Sequence, residues 1–325
     1  MKAITQDRYG DAGVLALRDI DSPKPASGEV LVQVKAAGVD PGVWHLMTGV
    51  PYLMRVIGFG FRRPKVPVRG LALAGVVQSA GPGVTRFREG DEVFGTCRSG
   101  SFAEYATARE DRLAAKPQEL TFEQAAALPV SAVTALQAVR NQAGIKAGQR
   151  TAITGAGGGI GTFAVQLAKA RGAHVTAVCG PAKADLVRSL GADEVIDYTR
   201  EEIDAGGALY DVIIDTAGNR PLALLRRALA PRGTLVLAGG DRYDRPVVTG
   251  MSRQSRAALL SPFTSQRLRS LLARENAADL ETLAQLAENG AVTPVIDRTY
   301  PLADAAQAIR NIADGHASGK GVVVI

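Results

Sequence analysis

The residues best placed to do chemistry stand in one run, Thr151-Ala152-Ile153-Thr154-Gly155-Ala156-Gly157-Gly158-Gly159-Ile160-Gly161. A short apolar segment runs into a glycine-rich turn, and an amphipathic segment, Phe163 to Ala168, leaves it. That order reads as strand, turn and helix. Glycine has no Cβ, so its backbone can approach a ligand closely. The first N–H groups of a helix lack intrahelical partners and sit at the positive end of its dipole. Gly155, Gly157, Gly158, Gly159, Ile160 and Gly161 therefore read as a cradle for the pyrophosphate of a dinucleotide. The spacing Gly155, Gly158, Gly161 departs from strict G-x-G-x-x-G, so the flanking strand and helix carry the reading rather than the glycines alone.

The next strand selects the dinucleotide. A site for NAD carries an acid about 20 residues on, bonded to the ribose hydroxyls. Here the strand ends Ala177-Val178-Cys179-Gly180, without a carboxylate, and Lys183 follows. A lysine attracts a 2′-phosphate where an acid would repel it. One charge-assisted hydrogen bond contributes about 1.5–3 kcal/mol, or roughly tenfold to a hundredfold in affinity. NADPH is the expected cofactor.

No metal is expected. A structural zinc needs four closely spaced Cys or His ligands. The chain has two cysteines, Cys97 and Cys179, no C-x-x-C, and three scattered histidines, His45, His174 and His316. Without zinc, an alcohol oxygen is not polarised directly. Reduction of an activated acceptor, a quinone, enone or enal, is then expected ahead of alcohol oxidation.

Two kinds of element must position these groups. The first third is β-rich and punctuated by turns: Glu29 to Ala36 alternates apolar and polar residues, and Gly81-Pro82-Gly83 and Glu89-Gly90-Asp91 break the chain. Thr121-Phe122-Glu123-Gln124 has the spacing of a helix capping box. From Arg150 onward, strand candidates at Thr151 to Thr154, His174 to Cys179, Glu194 to Ile196, Val212 to Asp215 and Thr234 to Ala238 alternate with helix candidates. Such alternation predicts βαβ units and a parallel sheet. Late strands at Val295 to Asp297 and Val322 to Val324 are expected, with a helix from Leu280 to Glu288.

With 325 residues, 46% of them hydrophobic and 22% charged, the chain has the length of two domains. It has no long apolar run, and its start turns polar too early for a signal peptide. A cytoplasmic chain without a membrane partner is expected. The net charge is +6. Basic residues crowd between Arg242 and Arg274 (Arg245, Arg253, Arg256, Arg267, Arg269) and again at Arg62, Arg63, Lys65 and Arg69. Both groups read first as solvated faces and next as attractors of an anionic cofactor. Neither alternates with aromatics as a single-strand platform does, so nucleic acid is not an expected partner.

Several segments together resemble the zinc-independent quinone oxidoreductase branch of the medium-chain dehydrogenase/reductase family. They are Ala37-Gly38-Val39-Asp40-Pro41, Gly90-Asp91-Glu92-Val93-Phe94-Gly95, Gly100-Ser101-Phe102-Ala103-Glu104-Tyr105, Ala125-Ala126-Ala127-Leu128-Pro129, the glycine loop, Leu190 to Tyr198 and Gly319-Lys320. The resemblance implies an α/β fold: a GroES-like β-rich domain over 1–122 and 268–325, and a doubly wound Rossmann domain over 123–267. It implies a homodimer. It adds Thr134, Gly180, Tyr198, Ala217, Ala238, Gly239, Gly240 and Lys320 to the cofactor site, with Lys183 and Tyr198 at the 2′-phosphate. Tyr52 is the expected proton donor to the acceptor oxygen, from a loop where related enoyl reductases place a tyrosine. Asp40 is the second expected catalytic residue, with a local turn hydrogen bond as its alternative role. The family often has asparagine at Asp40 and aspartates at Val43 and Ala72, and these departures leave the substrate open. Two other functions stand beside quinone or enone reduction: a zinc-free NADP-dependent alcohol dehydrogenase, and a non-catalytic NADPH-binding or nucleic-acid-binding protein.

Overall fold

The structure is a computed structural model and describes residues 1–52, 55–207, 209–239, 252–313, 315 and 317–325. The chain forms two compact units, Met1–Val133 with Glu275–Ile325, and Thr134–Arg274. The boundaries expected from the resemblance lay at 122/123 and 267/268.

The first unit contains strands β1 (Lys2–Thr5), β2 (Ala16–Asp19), β3 (Glu29–Val39), β4 (Ala72–Ala80), β5 (Glu92–Thr96), β6 (Tyr105–Arg109) and β7 (Leu113–Ala115). Its first helices are α1 (Pro41–Thr48) and α2 (Phe122–Ala126), and α3 (Ser131–Gln137) begins at its edge. Alternation sets β3: Val30, Val32 and Val34 are buried while the residues between them are half-buried. Toward its end both faces are buried, and a Cβ at Gly38 would meet the carbonyl oxygen of Ala126 at 2.4 Å, so α2 rests directly on that backbone. The capping box starts α2: Thr121 Oγ1 accepts from Gln124 N and Gln124 Oε1 accepts from Thr121 N.

The second unit contributes β8 (Arg150–Thr154), α4 (Gly161–Ala170), β9 (His174–Cys179), α5 (Ala184–Ser189), β10 (Glu194–Asp197), β11 (Tyr210–Asp215), α6 (Leu222–Ala228), β12 (Leu229–Leu237), α7 (Ser252–Leu260) and β13 (Arg267–Ser270). The six strands pair in parallel in the order β10-β9-β8-β11-β12-β13. Ala152, Ile153, Ile213, Ile214, Leu235 and Val236 are fully buried, as the central strands of a sheet covered on both faces require. The order reverses direction between β8 and β11, and ligands of open parallel sheets bind at the carboxyl ends beside such a point.

The chain then returns to the first unit with α8 (Ala277–Glu288), β14 (Ile296–Pro301), α9 (Ala305–Ala313) and β15 (Lys320–Val324). β15 pairs antiparallel with β3, Val322 facing Gly38 and Gly321 facing Val39. That register delivers Lys320 to the end of β3, where Asp40 stands.

Candidate functional site

In the second unit, the glycine loop joins the carboxyl end of β8 to the first turn of α4. Gly155 has φ +68°, a left-handed conformation that favours glycine, and a Cβ there would meet Thr216 Oγ1 at 2.8 Å and Ala217 N at 3.0 Å. A Cβ at Gly161 would meet the Gly155 carbonyl oxygen at 2.1 Å. Gly158 N donates to Gly155 O and Thr162 N to Gly158 O, which folds the loop back on itself before α4 begins. Ile160 stands at the N-cap with no side-chain capping bond, so no side chain closes the N-terminus of α4 to a ligand. Ala238 N and Gly239 N both donate to Asp215 O, and a Cβ at Gly239 would meet Thr216 O at 2.3 Å. Gly155, Ala217, Ala238 and Gly239 are thus gathered at the carboxyl ends of β8, β11 and β12. The glycines supply a cradle that side chains would fill, and the loop fits a dinucleotide.

At the end of β9, Lys183 lies over the loop: a Cβ at Gly157 would meet its Cδ at 2.6 Å. Tyr198 lies over Gly180, whose Cβ would touch the ring at 3.6 Å. Gly157, Gly180, Lys183 and Tyr198 therefore form one corner. Sequence reasoning missed Arg220, whose guanidinium sits 5.3 Å from the centre of the Tyr198 ring and pairs with Glu202 at 3.2 Å. The carboxylate beside this corner, Asp197, is occupied by Thr199, accepting from its N at 2.9 Å and its Oγ1 at 2.7 Å. Those bonds hold the Asp197 carboxyl below the usual carboxylate range. Thr134 is buried on α3. Gly240, Arg242, Arg245 and His316 lie outside the described residues.

A second polar cluster in this unit also went unread. Asp215, fully buried at the end of β11, accepts from Thr154 Oγ1 and from Arg253 Nη2, the latter at 2.6 Å. Arg253 was read as one cation among many on a solvated face, yet its side chain is 12% exposed and compensates the Asp215 charge.

In the first unit, Asp40 caps nothing. It is the N-cap residue of α1 but makes no side-chain cap bond, so the local turn hydrogen bond is not its role. Its Oδ1 instead accepts from Lys320 Nζ and from Ser131 Oγ, at 3.1 Å for the serine. Lys320 Nζ also donates to Val39 O and Ser131 Oγ, each at 3.0 Å. All three residues are at most 2% exposed. Asp40 Oδ2 is buried without a hydrogen-bond partner among the described residues. Tyr52 is 44% exposed, with the Arg55 guanidinium 4.6 Å from its ring centre. His45 Nδ1 is 2.7 Å from Val50 O, and burial holds its pKa below the usual histidine value despite that bond.

The described residues do not fit a zinc ion. Among the described residues no three of His, Cys, Asp and Glu converge on a metal-sized space. Burial pushes the Cys97 thiol up to about 11.

Two family models match the chain. An alcohol dehydrogenase GroES-like domain matches residues 26–118, and a zinc-binding dehydrogenase model matches residues 190–323. The chain is 35% identical to the chloroplast envelope quinone oxidoreductase homolog of Arabidopsis thaliana, over 99% of this chain and 98% of the relative. It is also 35% identical to a mitochondrial NAD(P)H oxidoreductase of Mus musculus, over 99% and 89%. A solved mycobacterial structure complexed with NADPH matches with a TM-score of 0.84 at 26% identity, covering 100% of both chains.

Proposed function

Because the chain belongs to the quinone oxidoreductase branch of the medium-chain dehydrogenase/reductase family, we propose that this NAD(P)H oxidoreductase prefers NADPH and reduces a quinone or an α,β-unsaturated carbonyl compound without a catalytic zinc. The observation that carries the cofactor choice is the corner at the end of β9, where Lys183 and Tyr198 close over Gly157 and Gly180 and Asp197 is engaged with Thr199. The NADPH held by the mycobacterial relative supports the same choice.

Bound NADPH supplies a hydride for the electrophilic carbon of the acceptor. The chain's own residues do the rest. The loop from Gly155 to Gly161 receives the pyrophosphate at the N-terminus of α4, and Lys183 meets the 2′-phosphate with its ammonium group. Ala217, Ala238 and Gly239 keep the strand ends flat enough for close approach. Charge developing on the acceptor oxygen needs hydrogen-bond donors, since the described residues do not fit a metal. Tyr52 is the proposed donor of the proton, its hydroxyl belonging to a half-exposed side chain steadied by Arg55.

Steady-state oxidation of NADPH and NADH against quinones, enones, enals and alcohols tests the reading. NADPH should be preferred at least tenfold in kcat/KM, and Lys183→Ala should erase most of that preference through KM. Equal use of both cofactors, or activity confined to alcohols, would overturn it.

A further inference from the structure

We propose that one face of the first unit docks on an anionic lipid surface. From Pro41 to Arg88 the sequence contains no aspartate or glutamate. Within that stretch Val56 is 67% exposed, Phe59 40% and Phe61 72%, and Arg62, Arg63 and Lys65 are exposed beside them. Large apolar side chains and cations of one sign therefore share one short surface segment.

The segment is built rather than slack. Tyr9 Oη donates to the carbonyl oxygens of Phe59 and Gly60 at 2.9 and 2.7 Å, and Lys65 N donates to Phe59 O at 2.9 Å. Gly60 has φ +107°, and a Cβ there would meet Arg63 O at 2.1 Å, so the turn closes tightly on a glycine. The Arg55 side chain is tied inward to Thr48 O and Gly49 O and stacks on the Tyr9 ring, so it is not one of the surface cations. Asp7, whose carboxyl the charge of Arg63 helps to hold low, is already engaged by Arg18.

A bilayer interface satisfies both halves of such a face. The phosphate layer attracts the cations, and the acyl boundary accepts the apolar side chains. Nucleic acid satisfies the first and can stack on Phe59 and Phe61, but it leaves the exposed aliphatic side chain of Val56 without a partner, which an acyl boundary supplies. The absence of an apolar span, on which the expectation of no membrane partner rested, does not bear on surface docking, which needs no span. Nor does the docking depend on which acceptor is reduced, because the test reads association alone.

The full chain, sedimented with vesicles of phosphatidylcholine containing phosphatidylglycerol, should pellet with them, and should stay in solution with phosphatidylcholine alone. High salt should release it. Each cation near the surface is worth about fivefold in association, so Arg62→Glu with Arg63→Glu should weaken pelleting roughly 25-fold or more. Phe59→Ser with Phe61→Ser should weaken it as well. NADPH binding and circular dichroism monitor the fold, and the single exposed change Lys65→Glu serves if the double variants do not fold. No pelleting with the anionic vesicles overturns the proposal. So does pelleting that is unchanged in the charge-reversed variants, or retention on single-stranded DNA without any on vesicles.

Discussion

Lys320 has three N–H donors, and Val39 O, Asp40 Oδ1 and Ser131 Oγ take all three. What the cluster has left is an acceptor, Asp40 Oδ2. Asp40 is therefore better suited to receive a hydrogen bond than to deliver a proton. The pair is buried, so its energetics are asymmetric. Removing the cation strands a carboxylate away from water, a change that typically costs about 3–5 kcal/mol. Lys320→Met should lower stability by that amount, read as a fall in the denaturant midpoint with the slope unchanged. A loss below about 1 kcal/mol would mean that Asp40 finds water or another partner. This cluster was only half legible in the sequence. Asp40 and Lys320 stood out singly, through their places in family-like segments, but not as partners. They are 280 residues apart, and Ser131 lies 91 from one and 189 from the other. Only the pairing of β15 with β3 brings them together, and no local pattern encodes it.

At the scale of elements, the loop between β8 and α4 shows how a sequence motif becomes a shape. Gly161 opens the helix, and the atom opposite its missing Cβ is the backbone carbonyl oxygen of Gly155, at 2.1 Å. A backbone atom cannot rotate aside as a side chain would. Gly161→Ala must therefore push the first turn of α4 away from the loop, and the N–H groups of the cradle with it. NADPH affinity should fall tenfold or more, equal to about 1.4 kcal/mol, while far-ultraviolet circular dichroism stays as it was. A fluorescence titration giving an unaltered Kd would remove this loop from the cofactor site. The strands around the loop were readable for a physical reason. Strands buried on both faces are short apolar runs, and turns bound each of them. β9 was placed at His174–Cys179, and the sheet forms there. β13 was not readable: Arg267 and Arg269 are exposed on either side of the buried Leu268, and the segment reads as a charged surface. α9 was missed as well, lying in an alanine-rich stretch between two late strands.

At the scale of the whole molecule, β13 raises the question of assembly. It ends the order of the six-stranded sheet, so one side of its backbone has no neighbouring strand among the described residues. An open edge invites another strand. Charged side chains, proline and short length are common protections; β13 has four residues and carries exposed Arg267 and Arg269, but no proline. Large apolar side chains flank it, Phe263 and Leu272 each 88% exposed. Single exposed apolar residues are ordinary, but two beside an open edge mark a surface suited to burial. A second copy of the chain meets the requirement by symmetry, because edge strands related by a two-fold axis pair antiparallel and place each apolar residue against the other copy. The homodimer that the family resemblance implies is predicted to pair through this edge. Static light scattering should give the mass of two chains, and Phe263→Asp with Leu272→Asp should shift it toward one while the Gly155 to Gly161 loop still binds NADPH. A wild-type mass of one chain at micromolar concentration would refute the dimer. A variant that remains dimeric would place the interface elsewhere.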